Sequence, residues 1–165
     1  MRVQVRSLVA LVFALAACSD SLPFAPRSAD RLSPSAEAVT GLGTVVDLRA
    51  RRDAWLASGP HTYIVEEQFS CFCGYELELQ PSVLEVRDRQ VARVWNLRTG
   101  RRFVPREGTL LSVERLFDLA IQYAEQDERV IVKYDAVLGY PVHLVLGEPE
   151  RDAGVTYVLS NLRPR

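Results

Sequence analysis

Residues 130–162 constrain the fold most, because they read as three strands joined by short connections. Val130-Ile131-Val132-Lys133-Tyr134-Asp135 alternates, which puts Val130, Val132 and Tyr134 on one face and Lys133 and Asp135 on the other. Leu138-Gly139-Tyr140-Pro141 then reverses the chain, since glycine tolerates positive φ and proline fixes the entry to the apolar run 142–146. A third run, 155–162, follows a loop at 147–154 too polar and too rich in Gly and Pro to be buried. The product is a β-meander with an apolar face that needs a covering layer.

Two amphipathic segments can supply that layer. In 112–125, Ser112 stands as a cap and Glu114 in the first turn, while Val113, Leu116, Phe117, Ala120, Ile121 and Ala124 recur at helical spacing. An earlier helix starts near Asp47, a candidate N-cap, carries Val45, Leu48, Arg52, Trp55 and Leu56 on one stripe, and stops at Gly59-Pro60. Between them, 62–69 is a strand with Tyr63, Val65 and Phe69 on one face, and continued alternation brings Cys71 and Cys73 to the same side. Residues 83–87 and 91–95 form a hairpin across Asp88-Arg89-Gln90, and 96–108 is a basic loop. Short connections favour antiparallel pairing over crossovers. The expectation is α+β, in the order α-β-β-β-α-β-β-β: a twisted antiparallel sheet of about six strands with two helices packed on one face.

The amino terminus carries an address. Arg2 and Arg6 precede an apolar run at 8–14, which Leu15-Ala16-Ala17-Cys18 closes. The run falls short of the roughly 20 residues a membrane-spanning helix needs. It reads as an export signal, and its ending resembles the lipobox of bacterial lipoproteins, in which the cysteine is lipidated and becomes the first mature residue. The alternative is a plain secretory signal cleaved near Ala17, with Cys18 an ordinary thiol. By resemblance to lipoprotein sorting, Ser19 points to the outer membrane. The expected organisation is a signal peptide at 1–17, a tether at 18–44 and one α+β domain at 45–165. The tether contains Pro23, Pro26 and Pro34 without sustained periodicity, so it lacks the apolar surface to offset ordering entropy. A formal charge of -1, from 20 basic and 21 acidic residues, lacks the basic excess of a nucleic-acid binder.

Trp55, Tyr63, Cys71-Phe72-Cys73, Ser112-Val113-Glu114-Arg115-Leu116-Phe117, Val132-Lys133-Tyr134-Asp135 and Gly139-Tyr140-Pro141-Val142 occur in that order. In this set, from Trp55 to about Leu162, the chain resembles a family of uncharacterised bacterial secreted proteins and lipoproteins known only as a domain of unknown function. Such chains often show an Asp-rich turn before the last strand, and here only Asp152 matches. The resemblance implies the fold and the envelope address, and no activity.

Few residues point to chemistry. In an exported protein Cys71 and Cys73 suggest a disulfide, with free buried thiols or a redox or soft-metal site as the other readings. An i, i+2 pair in a regular strand is too far apart for the bond, so the strand would have to bend at Phe72. Arg98, Arg101, Arg102 and Arg106 form the dense basic patch, suited to an anionic envelope component or an acidic partner, and otherwise a solvated loop. Tyr140 and His143 are candidates for a binding surface on the uncovered side of the meander, although for Tyr140 alone a ring that caps the core is the favoured reading. His61 and His143 are isolated, and no catalytic, metal-binding or phosphate-binding motif is present, so neither an enzyme nor a cofactor is expected. The sequence therefore suggests a lipid-anchored cell-envelope module that binds an envelope protein or anionic component. The alternative is a thiol-redox or soft-metal-handling lipoprotein using Cys71 and Cys73.

Overall fold

The computed structural model describes residues 40–71, 78–148 and 153–165. Its elements run β1 (Thr40–Leu42), α1 (Val45–Ser58), β2 (Tyr63–Cys71), β3 (Ser82–Arg87), β4 (Gln90–Asn96), β5 (Arg102–Phe103), α2 (Val113–Glu125), β6 (Val130–Tyr134), β7 (Pro141–Glu148) and β8 (Ala153–Pro164). All strands join one antiparallel sheet in the order β1-β6-β7-β8-β2-β3-β4-β5. The α+β class holds, but eight strands replace the expected six.

The two additional strands are short edge pieces. β1 lies in the stretch expected to be tether, with Leu42 opposite Ile131 on β6. Gly43 makes this possible, because a Cβ there would meet Val130 Cγ1 at 2.8 Å, and its N–H donates to the Val130 carbonyl at 3.0 Å. β5 arises inside the expected basic loop, where Phe103 pairs with Val94 and packs on the core while Arg102 pairs with Trp95.

The core lies between the sheet and the two helices. Val130, Val132 and Tyr134 are buried as alternation requires, together with Tyr63, Val65, Phe69, Leu84, Val86, Leu144, Leu146, Tyr157 and Leu159 from neighbouring strands. Leu48 and Trp55 enter from α1, and Leu116, Phe117 and Ala120 from α2. Ile121, expected in this core, is only partly buried and faces the groove between the helices.

Local chemistry differs from expectation at three points. Thr44, not Asp47, caps α1: its Oγ1 accepts from the Asp47 N–H at 3.2 Å, leaving Asp47 inside the first turn. Ser112 occupies the N-cap position of α2 without a side-chain cap bond, and Tyr63 Oη accepts from the Val113 N–H of the first turn at 2.9 Å. The β3–β4 turn consists of Asp88 and Arg89, both at positive φ, so it is a two-residue hairpin turn.

Candidate functional site

The helix-covered side holds a buried polar cluster. Glu114 projects from the first turn of α2 into the core, where Trp55 Nε1 donates to its Oε1 at 2.8 Å and Tyr63 Oη donates to its Oε2 at 3.0 Å. Arg89 Nε stands 4.0 Å from Oε1. The Arg89 guanidinium also donates to the Leu56 carbonyl at 2.6 Å and to His61 Nε2 at 2.8 Å, so that ring nitrogen is the acceptor. One carboxylate thus ties both helices to the β3–β4 turn. Burial raises the Tyr63 hydroxyl far above its usual range, and the charge of Glu114 adds to this. With both carboxylate oxygens taken by Trp55 and Tyr63, the cluster is suited to holding the helices in register.

Glu67 is the second buried acid. Its Oε1 accepts from the Leu111 N–H at 3.2 Å, while Oε2 has no partner among the described residues. Burial pushes its carboxyl well above the usual range, against the opposing pull of the Leu111 N–H. An exposed groove of about 310 Å³ lies elsewhere, lined by Arg49, Arg52, Asp53, Asp118, Ile121 and Glu125. Its charges pair across the helices, Arg52 with Asp118 at 2.7 Å and Arg49 with Glu125.

The opposite side of the sheet is where charge collects. Glu85 is nearly buried there, with Arg87 at 2.7 Å, Arg165 at 3.6 Å and Arg93 at 3.8 Å. The ladder aligns Arg163, Ile64, Glu85 and Arg93 across four strands. A second row runs from Ser160 through Glu66, Val83 and Trp95 to Arg102. Ile64, Val83 and Trp95 form their own buried cluster on this side, separate from the main core. Towards β6 the same face carries Ile131, Val145 and Val158, with Lys133, His143 and Val158 in register. No described helix lies on this face, and Val158 is 41% exposed.

The expected site residues scatter over this frame. Tyr140 does not stand at the rim of the open face; it is 5% exposed and its ring lies 6.1 Å from that of Trp55. The turn explains the difference. Asp135 Oδ1 accepts from the Val137 and Leu138 N–H groups, and Gly139 at φ +74° swings the chain so that Tyr140 points under α1. Asp135 accordingly belongs to the turn and not to the open face. His143 is on the open face, half-buried. Arg98 and Arg101 lie in the turn organised by Asn96 Oδ1, Arg102 is on β5 beside Trp95, and the Arg106 N–H donates to Glu78 at 2.8 Å, 28 positions away in sequence. Arg98, Arg101 and Arg102 thus share the β4–β5 hairpin, and Arg106 follows it in the chain. Sequence reasoning missed Arg87, Arg93, Arg163 and Arg165, although Glu85-Val86-Arg87 and Arg163-Pro164-Arg165 carry the period-two signal of an outward face.

Cys71 ends β2, half-buried, and has a partner outside the described contacts. Cys18 and Cys73 lie outside the described residues, as do the signal segment and most of the tether. No group of three or more potential metal-ligating residues occurs among the described residues. Compared with known proteins, residues 47–164 match the model of a family of unknown function, DUF6174. No curated protein and no solved structure matches the chain.

Proposed function

The chain belongs to DUF6174, a family of unknown function, and from that premise we propose that it is a lipid-anchored cell-envelope module, without enzymatic activity, that presents the open face of its sheet to a partner. The observation that carries this reading is the asymmetry of the sheet. Both helices cover one face, while the other exposes Val158 beside half-buried Ile131, His143 and Val145 and gathers arginines around Glu85. Glu114, the buried acid between the helices, has both oxygens bonded within the fold, which favours a structural role for it over catalysis.

The address rests on Leu15-Ala16-Ala17-Cys18, with Cys18 as the lipidated residue and the outer membrane as the destination suggested by Ser19. No described helix is long and apolar enough to cross a membrane. Cys71 and Cys73 act in this reading as a structural disulfide. The test is to fractionate cells expressing the wild type and Cys18→Ala, and to weigh the mature chain intact with and without reductant. The variant should be unprocessed or released in soluble form, and reduction should add the mass of two hydrogens. A cleaved variant that stays with membranes after a high-salt wash would refute the anchor, and an unchanged mass the disulfide.

A further inference from the structure

The sheet ends at β5, and the backbone of that edge strand is bare. The Asn96 N–H donates to the Arg101 carbonyl at 3.0 Å, and the same ladder sets Trp95 opposite Arg102 and Val94 opposite Phe103. Bonded and non-bonded pairs alternate along an antiparallel ladder. Arg101 and Phe103 therefore turn their backbone groups to β4, and Arg102 turns its N–H and carbonyl outward. Val104 is the next outward position and is 90% exposed. On that side neither backbone has a partner among the described residues. The stretch is nevertheless held in place, because Phe103 packs on the core and the Arg106 N–H donates to Glu78 Oε1 at 2.8 Å. An incoming strand meets a fixed template and has to order little besides itself.

Charge selects which strand fits. Residues 96–105 contain Arg98, Arg101 and Arg102 and no acidic residue. All three arginines are exposed, and none of their guanidinium groups has a hydrogen bond or ion pair among the described residues. A second copy of this chain pairing β5 with β5 would set these arginines against their own kind, so charge opposes self-pairing. A strand bearing carboxylates meets the reverse situation, since a guanidinium can hold a carboxylate through two parallel hydrogen bonds. Arg102 shares the open face with Trp95, whereas Phe103 packs on the core. Carboxylates therefore suit one side of the incoming strand and apolar side chains the other. An anionic bilayer would also attract the arginines, but it offers no alternating donors and acceptors to the outward backbone groups.

On the interaction-module reading above, we infer that the β5 edge takes up an extended segment of a partner protein in which carboxylate and apolar side chains alternate, adding it to the sheet as a further strand. The probe is a short capped peptide alternating glutamate with valine, added to the chain from residue 18 onward carrying Cys18→Ser. Amide resonances and hydrogen exchange followed by nuclear magnetic resonance report the binding. The Arg102 and Val104 amides should exchange more slowly in the complex, because they gain acceptors. Arg101→Gln with Arg102→Gln should weaken binding about ten-fold, at about three-fold per exposed ion pair. Arg49→Gln with Arg115→Gln removes the same charge from the helices and should change it less than about two-fold. Val104→Pro keeps every charge but removes an outward N–H, and should weaken binding about five-fold.

Circular dichroism melts establish that each variant is folded. If the first arginine pair is not, Arg98→Gln with Arg101→Gln takes its place with the same expected loss. If Val104→Pro is not, the unaltered protein is given the peptide N-methylated at its valines and, separately, at its glutamates, and one of the two should lose binding. The inference is overturned if the peptide does not bind at about 1 mM, or if both arginine pairs lose binding equally. It is also overturned if removing the N–H donors changes nothing, or if the Arg102 and Val104 amides exchange as before. Binding of anionic vesicles through Arg101 and Arg102 without binding of the peptide would overturn it too, and would assign the hairpin to a membrane surface. Failure here with Cys18-dependent fractionation intact removes the acidic strand as the partner and leaves the anchored module standing. Failure of fractionation alone removes the anchor and leaves the peptide result intact.

Discussion

Replacing Tyr63 with Phe removes one oxygen atom and tests whether the buried polar cluster holds the helices to the sheet. The Tyr63 hydroxyl donates to Glu114 Oε2 at 3.0 Å and accepts from the Val113 N–H at 2.9 Å, and the side chain is fully buried. No water can replace it without opening the core. Ser112 cannot rescue Val113, because an N-cap side chain reaches the N–H groups two and three residues on, not the next one. Each buried polar group left unpaired costs about 1–3 kcal/mol, so two give about 2–6 kcal/mol. Glu114 keeps its bond from Trp55 and the nearby Arg89, which places the expected loss in the lower part of that range, about 2–4 kcal/mol. That is a large fraction of the roughly 5–15 kcal/mol that holds a domain folded. Tyr157→Phe is the matched control, since its hydroxyl makes only a 3.4 Å contact to the Gly108 carbonyl and should cost less than about 1 kcal/mol. Urea unfolding followed by far-ultraviolet circular dichroism measures both. Equal losses, or a Tyr63→Phe loss below about 0.5 kcal/mol, would refute the assignment of the cluster as the clamp.

Two further outcomes follow from the same core. Burial raises the Glu67 carboxyl above its ordinary value of 4.5, so above that pH the folded state holds a proton that the unfolded state releases. Stability then falls as pH rises from about 4.5 towards the raised value, and Glu67→Gln, which cannot ionise, should gain on the wild type over that window; urea midpoints at pH 4 and pH 8 that shift in parallel for the two proteins would contradict this. Phe117 is fully buried, 6.3 Å from the Tyr134 ring and nearly parallel to it, so Phe117→Ala should cost about 3–5 kcal/mol, against about 1–2 kcal/mol for Leu119→Ala, which is only partly buried; equal losses in urea would show that the buried stripe of α2 is wrongly placed.

What the sequence by itself determined was everything governed by local periodicity. Alternation at 130–134 and helical spacing at 113–120 each express one face of one element, and a buried face must be apolar wherever its neighbours come from. The α+β class and the burial of Val130, Val132, Tyr134, Leu116 and Phe117 were therefore legible, and so was the location of the two helices. Strand adjacency was not. β8 lies against β2 across nearly the whole chain, and that pairing aligns Arg163 with Ile64 and sets Arg165 beside Glu85. The edge strands escaped notice for a related reason: three residues at Thr40–Leu42 and two at Arg102–Phe103 carry too little pattern, and their hydrogen bonds come from β6 and β4. Capping and turn chemistry were decided in space as well, with Tyr63 supplying from β2 the acceptor for the Val113 N–H and the Asp135 turn carrying Tyr140 under α1. Periodicity shows which side of an element is buried, but only the folded sheet shows which outward side chains are neighbours, and the charge of the open face is a property of those neighbours.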